Sequence, residues 1–563
     1  MMKNDNSEAQ YQKPMMLLTE LLPGRVILPG WERATQTGPQ QLALLLLVVV
    51  CMSMARQVKS AEQEKNSFAL WELRVKGNTL LETREIERAV YPFLGPNKTI
   101  DTVEQARSSL ENLYRMKGYQ TVAVDIPEQN VVAGRVFLQV SEGKVARLRV
   151  KDSHYFSLAR IKAGVPALAE GSVPNLPKMQ EQLAALEKQS TDRHIVPVLR
   201  AGETPGTMDV DLKVKEQLPL HGKLAFNGRN SVNTSRLRMI ASLRYDNLWQ
   251  KFHSASLMFQ TAPENSKEVQ VWAGTYVMPW FDSDARLAFY AVSSASDSNV
   301  ANAGALAVIG NGNIYGLRLV TPLSGAQHYF HSLTAGVDYK DFKEDLVLIG
   351  SDTLTTPISY LPFMFQYSGG LRGGDTLLSF DVGINFSIRG LGNNEQQFED
   401  KRFLARSNYF YGSTGLKFRY NLPWGFEWRG RFDGQLSDSP LISNEQFSLG
   451  GADSVRGYFE SQALADNAIA GSLELYSPRL APQDWNVVNK LRALFFIDGG
   501  QGWIKSPLPG NPEQFKLAGT GIGLRFQIWK YFTGALDLAW PLLDLEPIQA
   551  GDVRLDFNMA MNF

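Results

Sequence analysis

The 563-residue chain balances 57 Lys+Arg against 57 Asp+Glu and carries a single cysteine. That neutrality excludes a polybasic nucleic-acid binder, which needs a cationic excess over phosphate. A slightly negative mean hydropathy, with no apolar run of about 20 residues, excludes a polytopic helical membrane protein.

The longest apolar run, residues 42–50 extended by Cys51, Met52 and Met54, is too short to span a bilayer but fits the apolar region of a signal peptide. Ser53-Met54-Ala55 supplies a small-x-small cleavage site, so residues 1–55 are expected to be a signal peptide with a long leading region. A buried core helix is the alternative, but the Ser-Met-Ala ending with charges after it argues for export. Cys51 follows Val49-Val50 rather than a small residue, which argues against lipidation, and cleavage after Ala55 removes the only thiol. The exported chain is then free of disulfides and Cys-based metal sites. Residues 56–67 read as a short linker.

From 68 to 217, helical and strand periods alternate. Leu70 to Val75 alternates and turns at Lys76-Gly77-Asn78. Thr83 is expected to cap a helix over 84–91, with Ile86 and Val90 on one face. Asp101 or Thr102 is expected to cap the next helix, whose apolar stripe is Val103, Ala106, Leu110, Leu113 and Tyr114. Gly118 is a natural C-cap, and strands follow over 121–126 and 134–140. A second unit starts with Val145, Leu148 and Val150, continues as a helix over 176–188, and ends in strands over 195–199 and 208–214. These are two small α+β domains, 68–143 and 144–217.

From 218 to 563 the sequence is almost entirely short alternating strands. Phe426, Trp428, Phe432 and Leu436 alternate with Glu427, Arg429, Arg431, Asp433 and Gln435, which gives one strand an apolar and a charged face. Ile522, Leu524, Phe526 and Ile528 alternate with Gly521, Gly523, Arg525 and Gln527, and Leu555, Phe557, Met559, Met561 and Phe563 alternate with Asp556, Asn558, Ala560 and Asn562. A soluble β-sandwich alternates too. Three features favour a membrane barrel instead: strands of about ten residues, aromatics near strand ends (Tyr276, Trp280, Trp424, Trp529, Trp540), and a chain that stops on a strand-terminal Phe. Lipid offers no partner to an open sheet edge, so the strands must close, charged face inward. At roughly 20–24 residues per strand plus connection, an even count near 14–18, about 16, results. Turns such as 421–425 are expected on the periplasmic side, and the longer stretches 390–401 and 450–467 outward. Gly369-Gly370-Leu371-Arg372-Gly373-Gly374 lacks a following helix and reads as a turn. His328 and His331, three apart on a strand, fall on opposite faces, which argues against a metal site.

Several segments resemble a known family. Val75-Lys76-Gly77-Asn78-Thr79, Tyr114-x-x-x-Gly118-Tyr119, Ile126-Pro127-Glu128-Gln129 and Val140-Ser141-Glu142-Gly143 resemble the POTRA (polypeptide-transport-associated) domain in its secretion-transporter form. Residues 200–212, with Pro205-Gly206 and Asp211-Leu212, resemble the end of a second POTRA domain. Asp246-Asn247-Leu248-Trp249 and Tyr276-Val277-Met278-Pro279 resemble the first hairpins of the associated barrel. Gly450-Gly451-Ala452-Asp453-Ser454-Val455-Arg456-Gly457-Tyr458 resembles the VRGY loop of the outer-membrane assembly and secretion superfamily, Phe496-Ile497-Asp498-Gly499-Gly500 its F-x-D-x-G strand, and Gly471-Ser472-Leu473-Glu474 the strand with a further acid. Each tetrapeptide is weak alone; in this chain order, before a terminal Phe, they form a specific set. The chain thus resembles the two-partner-secretion outer-membrane transporters (TpsB; ShlB/FhaC/HecB-type) over nearly all of its exported length.

The resemblance implies a transmembrane antiparallel β-barrel (218–563) behind two periplasmic POTRA domains, with a loop at about 447–467 folded into the lumen. It implies Arg456 as the loop anchor with Asp498 as main and Glu474 as second partner, beside Val455, Gly457, Tyr458, Phe496 and Gly500. It makes Phe557, Met559, Met561 and Phe563 the terminal strand that closes the barrel. A guanidinium clamping two carboxylates in a partly desolvated lumen suits a gate with two loop states. The dozen residues between 55 and 68 leave little room for the plug helix of some relatives. The implied partner is a large secreted exoprotein (TpsA-like) captured by the POTRA domains through strand addition, alongside outer-membrane lipid and the barrel-assembly machinery for its own insertion. Nucleic acid is not among the partners. No cofactor, metal or enzymatic activity is expected, and a monomer is. An assembly factor of the same superfamily and a passive porin are the competing readings.

Overall fold

The computed structural model describes residues 67–563 apart from 282, 297–300, 304–305, 309, 344, 348–352, 483–484 and 486. The expected signal peptide, its cleavage site and Cys51 lie outside the described residues.

In the first small unit, strand Arg135–Glu142 is central, parallel to Glu72–Lys76 and antiparallel to Val122–Asp125. The apolar stripe of helix Ile100–Met116 (Val103, Ala106, Leu110, Tyr114) buries against Val136, Leu138 and Val140. Two caps differ from expectation. That helix begins two or three residues earlier, with Thr99 as N-cap in a capping box with Thr102, and helix Thr83–Val90 takes Glu82 as N-cap, leaving Thr83 inside its first turn. The motif pieces scattered along this unit meet in one knot. Glu142 accepts from Thr79 N (2.7 Å), Thr79 Oγ1 and Leu80 N (3.2 Å), and Tyr114 Oη donates to Asn78 Oδ1 at 2.6 Å. Gly77, at φ +87°, sits where a Cβ would lie 2.3 Å from the Val140 carbonyl, so only glycine fits.

The second unit repeats the order, with Thr207–Glu216 central, parallel to Lys144–Lys151 and antiparallel to Arg193–Ala201. Its short helix Leu158–Ala163 went unpredicted, because six residues carry too little periodicity to read. The Asp246-Asn247-Leu248-Trp249 segment and its neighbours dock this unit onto the barrel. Asn247, Trp249, Gln250 and Phe252 all take positive φ. Gln250 Oε1 accepts from Ser157 N (2.9 Å), Asn247 Nδ2 donates to Tyr155 O (3.1 Å), and Phe252 stacks on Phe156 with the Arg193 guanidinium over both rings.

Among the described residues, sixteen antiparallel strands, from Leu220–Asn227 to Arg554–Asn562, close into a barrel in chain order. One of them is broken at Leu361 into Ile358–Tyr360 and Pro362–Gly373. The latter contains most of the glycine-rich segment expected to be a turn. The strand wins because Gly369 and Gly370 leave room for the rings of Phe380 and Phe330.

The first and last strands pair only from Asn558↔Asn227 to Asn562↔Lys223, extended by Gly222 N to Phe563 O (2.7 Å) and Phe563 N to Gly222 O (2.9 Å). The terminal ring needs that glycine, since a Cβ at 222 would lie 2.1 Å from Phe563 Cε2. Gly222→Val is therefore expected to destabilise the seam by about 1–3 kcal/mol, the usual overpacking cost. The check is the temperature at which the folded band disappears on a semi-native gel; an unshifted temperature would show that the terminal ring is not seated there.

At the end of the barrel opposite the small units, the connections fold inward. Residues 390–401, expected as an outward loop, include helix Glu395–Lys401. Its Phe398 packs with Tyr409, Leu441 and Ile442 against the inward-facing Val271, Val292, Ile314, Phe342 and Tyr360. Beneath this plug the buried Glu445 accepts from Lys340 Nζ (2.6 Å), Tyr360 Oη (2.6 Å) and Tyr411 Oη (2.9 Å). Of the two stretches expected to face outward, 390–401 thus covers the mouth, whereas 450–467 folds into the lumen, where Arg456 meets Asp498 and Glu474.

Candidate functional site: an arginine-anchored loop in the barrel lumen

A short hairpin, Phe447–Leu449 with Ala463–Ala465, carries the loop into the lumen, and positive φ at Gly450, Gly451 and Gly457 turns its backbone. Arg456 at its tip is 4% exposed. Its Nε and Nη2 donate to the two oxygens of Asp498 at 2.7 and 2.8 Å, and its backbone N donates to Asp498 Oδ2 at 3.1 Å. Nη1 donates to Glu474 Oε1 at 2.8 Å and Nη2 to Ser472 Oγ at 3.0 Å. The guanidinium also lies 3.5 Å from the Phe496 ring centroid, a stacking position that suits a delocalised cation.

Alternation along the strands explains why these groups converge. Ser472 and Glu474 on Asn467–Tyr476, and Phe496 and Asp498 on Val488–Trp503, have even numbers and share the inward face. Gly500, on the same face, leaves room for Leu449 and Val455. Tyr458 Oη donates to Leu543 O (2.7 Å) and Ala518 O (3.1 Å). The loop also crosses to the seam: Asp453 pairs with Arg229 (Nη2 to Oδ1 2.9 Å), and Glu460 N donates to Asn230 O at 3.1 Å.

The structure therefore brings Val455, Arg456, Gly457, Tyr458, Glu474, Phe496, Asp498 and Gly500 together. Phe557, Met559, Met561 and Phe563 lie apart, on the outer face of the seam. Sequence reasoning missed Ser472, Asp537 (3.9 Å from Arg456 and paired with Arg525) and Gly519. A Cβ at Gly519 would lie 2.1 Å from Arg456 O. The Gly519-x-Gly521-x-Gly523 spacing, which flattens the inner wall, was the available signal. It also missed Asp466, which accepts from both Arg402 Nη atoms at 2.6 Å.

Among the described residues, Asp192, His221 and Asp246 come close enough to share a cation. Their oxygens are already engaged, Asp192 by Gln217 and His221, Asp246 by Arg244 and His221. The cluster thus serves as a hydrogen-bonded joint between the second unit and the barrel.

Comparison with known proteins bears on the family and the fold. Residues 206–526 match the family described as haemolysin secretion/activation protein ShlB/FhaC/HecB, and residues 68–143 match the ShlB-type POTRA domain. The outer membrane transporter CdiB of Dickeya dadantii (strain 3937) is 21% identical over 513 residues, covering 88% of this chain and 87% of that protein. The solved structure of CdiB from Escherichia coli superposes with a TM-score of 0.57 at 18% identity, covering 90% of this chain and 92% of that one. That of BamA from Haemophilus ducreyi lacking POTRA domains 1–3 gives 0.55 at 14% identity, covering 88% and 100%.

Proposed function

The chain belongs to the ShlB/FhaC/HecB family of outer-membrane transporters, and from that premise we propose that it exports one large exoprotein, captured unfolded by its periplasmic domains and threaded through the barrel. The single observation that carries this reading is the Arg456 clamp: a loop held across the lumen by one buried ion-pair cluster is a removable obstruction. An open passive porin would gain nothing from it, and the apolar plug at the outer end argues against that reading too.

Capture by strand addition has available edges. Glu72–Lys76 and Val122–Asp125 flank the first sheet, and Lys144–Lys151 and Arg193–Ala201 the second. Arg193–Ala201 is nine residues long with Val196 and Leu199 partly exposed, so main-chain bonds and side-chain pockets can both contribute. Gln129 closes part of the first sheet, its Oε1 accepting from Phe137 N (2.7 Å) and its Nε2 donating to Phe137 O (2.8 Å). We assign no nucleotide or catalytic step to this chain; folding of the passenger outside supplies the drive. The protein works as a monomer whose own insertion depends on the barrel-assembly machinery.

Deleting the chain from its cell is the test. The expected result is loss of one large secreted protein, encoded beside it, with the outer-membrane protein profile unchanged. Loss of many outer-membrane proteins would instead assign it to barrel assembly.

A further inference from the structure

The small-domain half of the lumen carries cations in addition to the anchor Arg456. Strand Phe410–Asn421 turns Lys417 and Arg419 inward, strand Glu427–Ser437 turns Arg429 and Arg431 inward, and Arg492 joins from the wall beyond. Glu427, with its side chain 2% exposed, is the shared acceptor for three guanidiniums: Arg419 at 2.9 Å, Arg429 at 2.5 Å and Arg492 at 2.6 Å. One carboxylate neutralises one of the three. Arg429 is held against the ring of Tyr476 at 4.1 Å; the Arg419 and Arg429 side chains remain 48% and 41% exposed. Arg431 pairs with Asp433 at 3.1 Å and donates to the loop at Ser454 O (2.9 Å). A cavity of about 400 Å³ opens on this wall, lined by Lys417, Arg419, Arg429, Arg431, Arg456 and Glu474, with Glu427, Asp433 and Asp498 bonded to these cations from beside it.

Counted with Arg492, the six cations outnumber the four acids paired with them, Glu427, Asp433, Glu474 and Asp498, so the wall keeps a cationic excess. Cations crowded on a narrow, low-dielectric wall focus their field into the cavity and raise the local concentration of counter-charge. Guanidiniums match carboxylates in paired, planar contacts. We propose that this cavity is a binding site for a carboxylate-rich polypeptide segment, and that the exported chain presents one to it. The inference rests on the translocator reading for its natural ligand. Its position supports that role: a segment rising from the POTRA side meets these cations directly below the loop, and Arg431 and Arg456 touch both.

The test uses full-length protein in detergent, with fluorescent octaglutamate and octalysine as probes read by anisotropy. Octaglutamate is expected to bind, more weakly as salt rises, and octalysine not to. The Lys417→Glu/Arg431→Glu double variant is expected to weaken octaglutamate by about tenfold or more, because it sets like charges against the ligand. The neutral Lys417→Gln variant, judged folded by gel mobility, gives a smaller loss in the same direction and stands in if the double variant fails to fold. Lys215→Glu, on the second small unit, is expected to change nothing. Equal binding of both peptides, or octaglutamate affinity unmoved by both lumen variants, would overturn the site. Binding is read without export, so loss of the translocator reading in the deletion test leaves this result standing, and the reverse.

Discussion

Replacing Arg456 by Ala is expected to leave a barrel that inserts in the outer membrane and no longer exports. The strand ladders that close the cylinder do not include Arg456, so assembly has no reason to fail. The loop, by contrast, loses all the side-chain bonds of Arg456 and is left with those of Asp453 and Tyr458. Asp498, 1% exposed, would keep a buried charge with its main partner gone, and Glu474 would lose its cation and keep only the Tyr476 hydroxyl, at 3.0 Å. Removing one member of a buried pair typically costs about 3–5 kcal/mol, enough to release a loop from one dominant position. Secretion per inserted barrel should fall by about tenfold or more, as the free-energy change implies, with amounts in the medium compared against barrel in the membrane. Arg456→Lys should not restore it, because a single ammonium cannot chelate Asp498 and reach Glu474 at once. Normal export by the Ala variant would refute the gate.

How much of this was legible beforehand depended on the range of the interactions. Alternation is a local signal, so the inward face of Glu427–Ser437 and the outward face of Arg554–Asn562 could be read residue by residue. Helix Ile100–Met116 was readable from its stripe, but its cap was misplaced by two or three residues, since Thr99, Asp101 and Thr102 all carry capping side chains. The arginine anchor was legible only because its motifs resemble a family. Nothing local links Arg456 to an acid 42 positions on. The outer plug stayed hidden for the same reason: Phe398, Tyr409 and Leu441 look like loop residues until the barrel brings Phe342 and Tyr360 beneath them. The docking of Phe252 on Phe156 likewise joins two units that sequence reasoning treated separately.

That hidden plug yields the second large effect. Asp466 is fully buried at the end of the anchored loop, where it ties three outer connections together. It accepts from Arg402 Nη1 and Nη2 at 2.6 Å each, from Leu441 N at 2.9 Å and from Lys505 N at 2.7 Å. Asp466→Ala strands a partly buried guanidinium and two backbone donors, again a cost of about 3–5 kcal/mol, borne by connections rather than by barrel strands. The variant should therefore insert normally but leak, with higher single-channel conductance in planar bilayers and greater uptake of bulky antibiotics by cells that carry it. Asp466→Asn keeps one acceptor without the charge and should fall between. Arg456→Ala leaves this staple intact, so it should raise conductance less than Asp466→Ala does while impairing export more. That ordering separates a lumen gate from an outer cover: if Asp466→Ala conducts no better than the parent, the apolar cluster of Phe398, Tyr409 and Leu441 is not what seals the outer mouth.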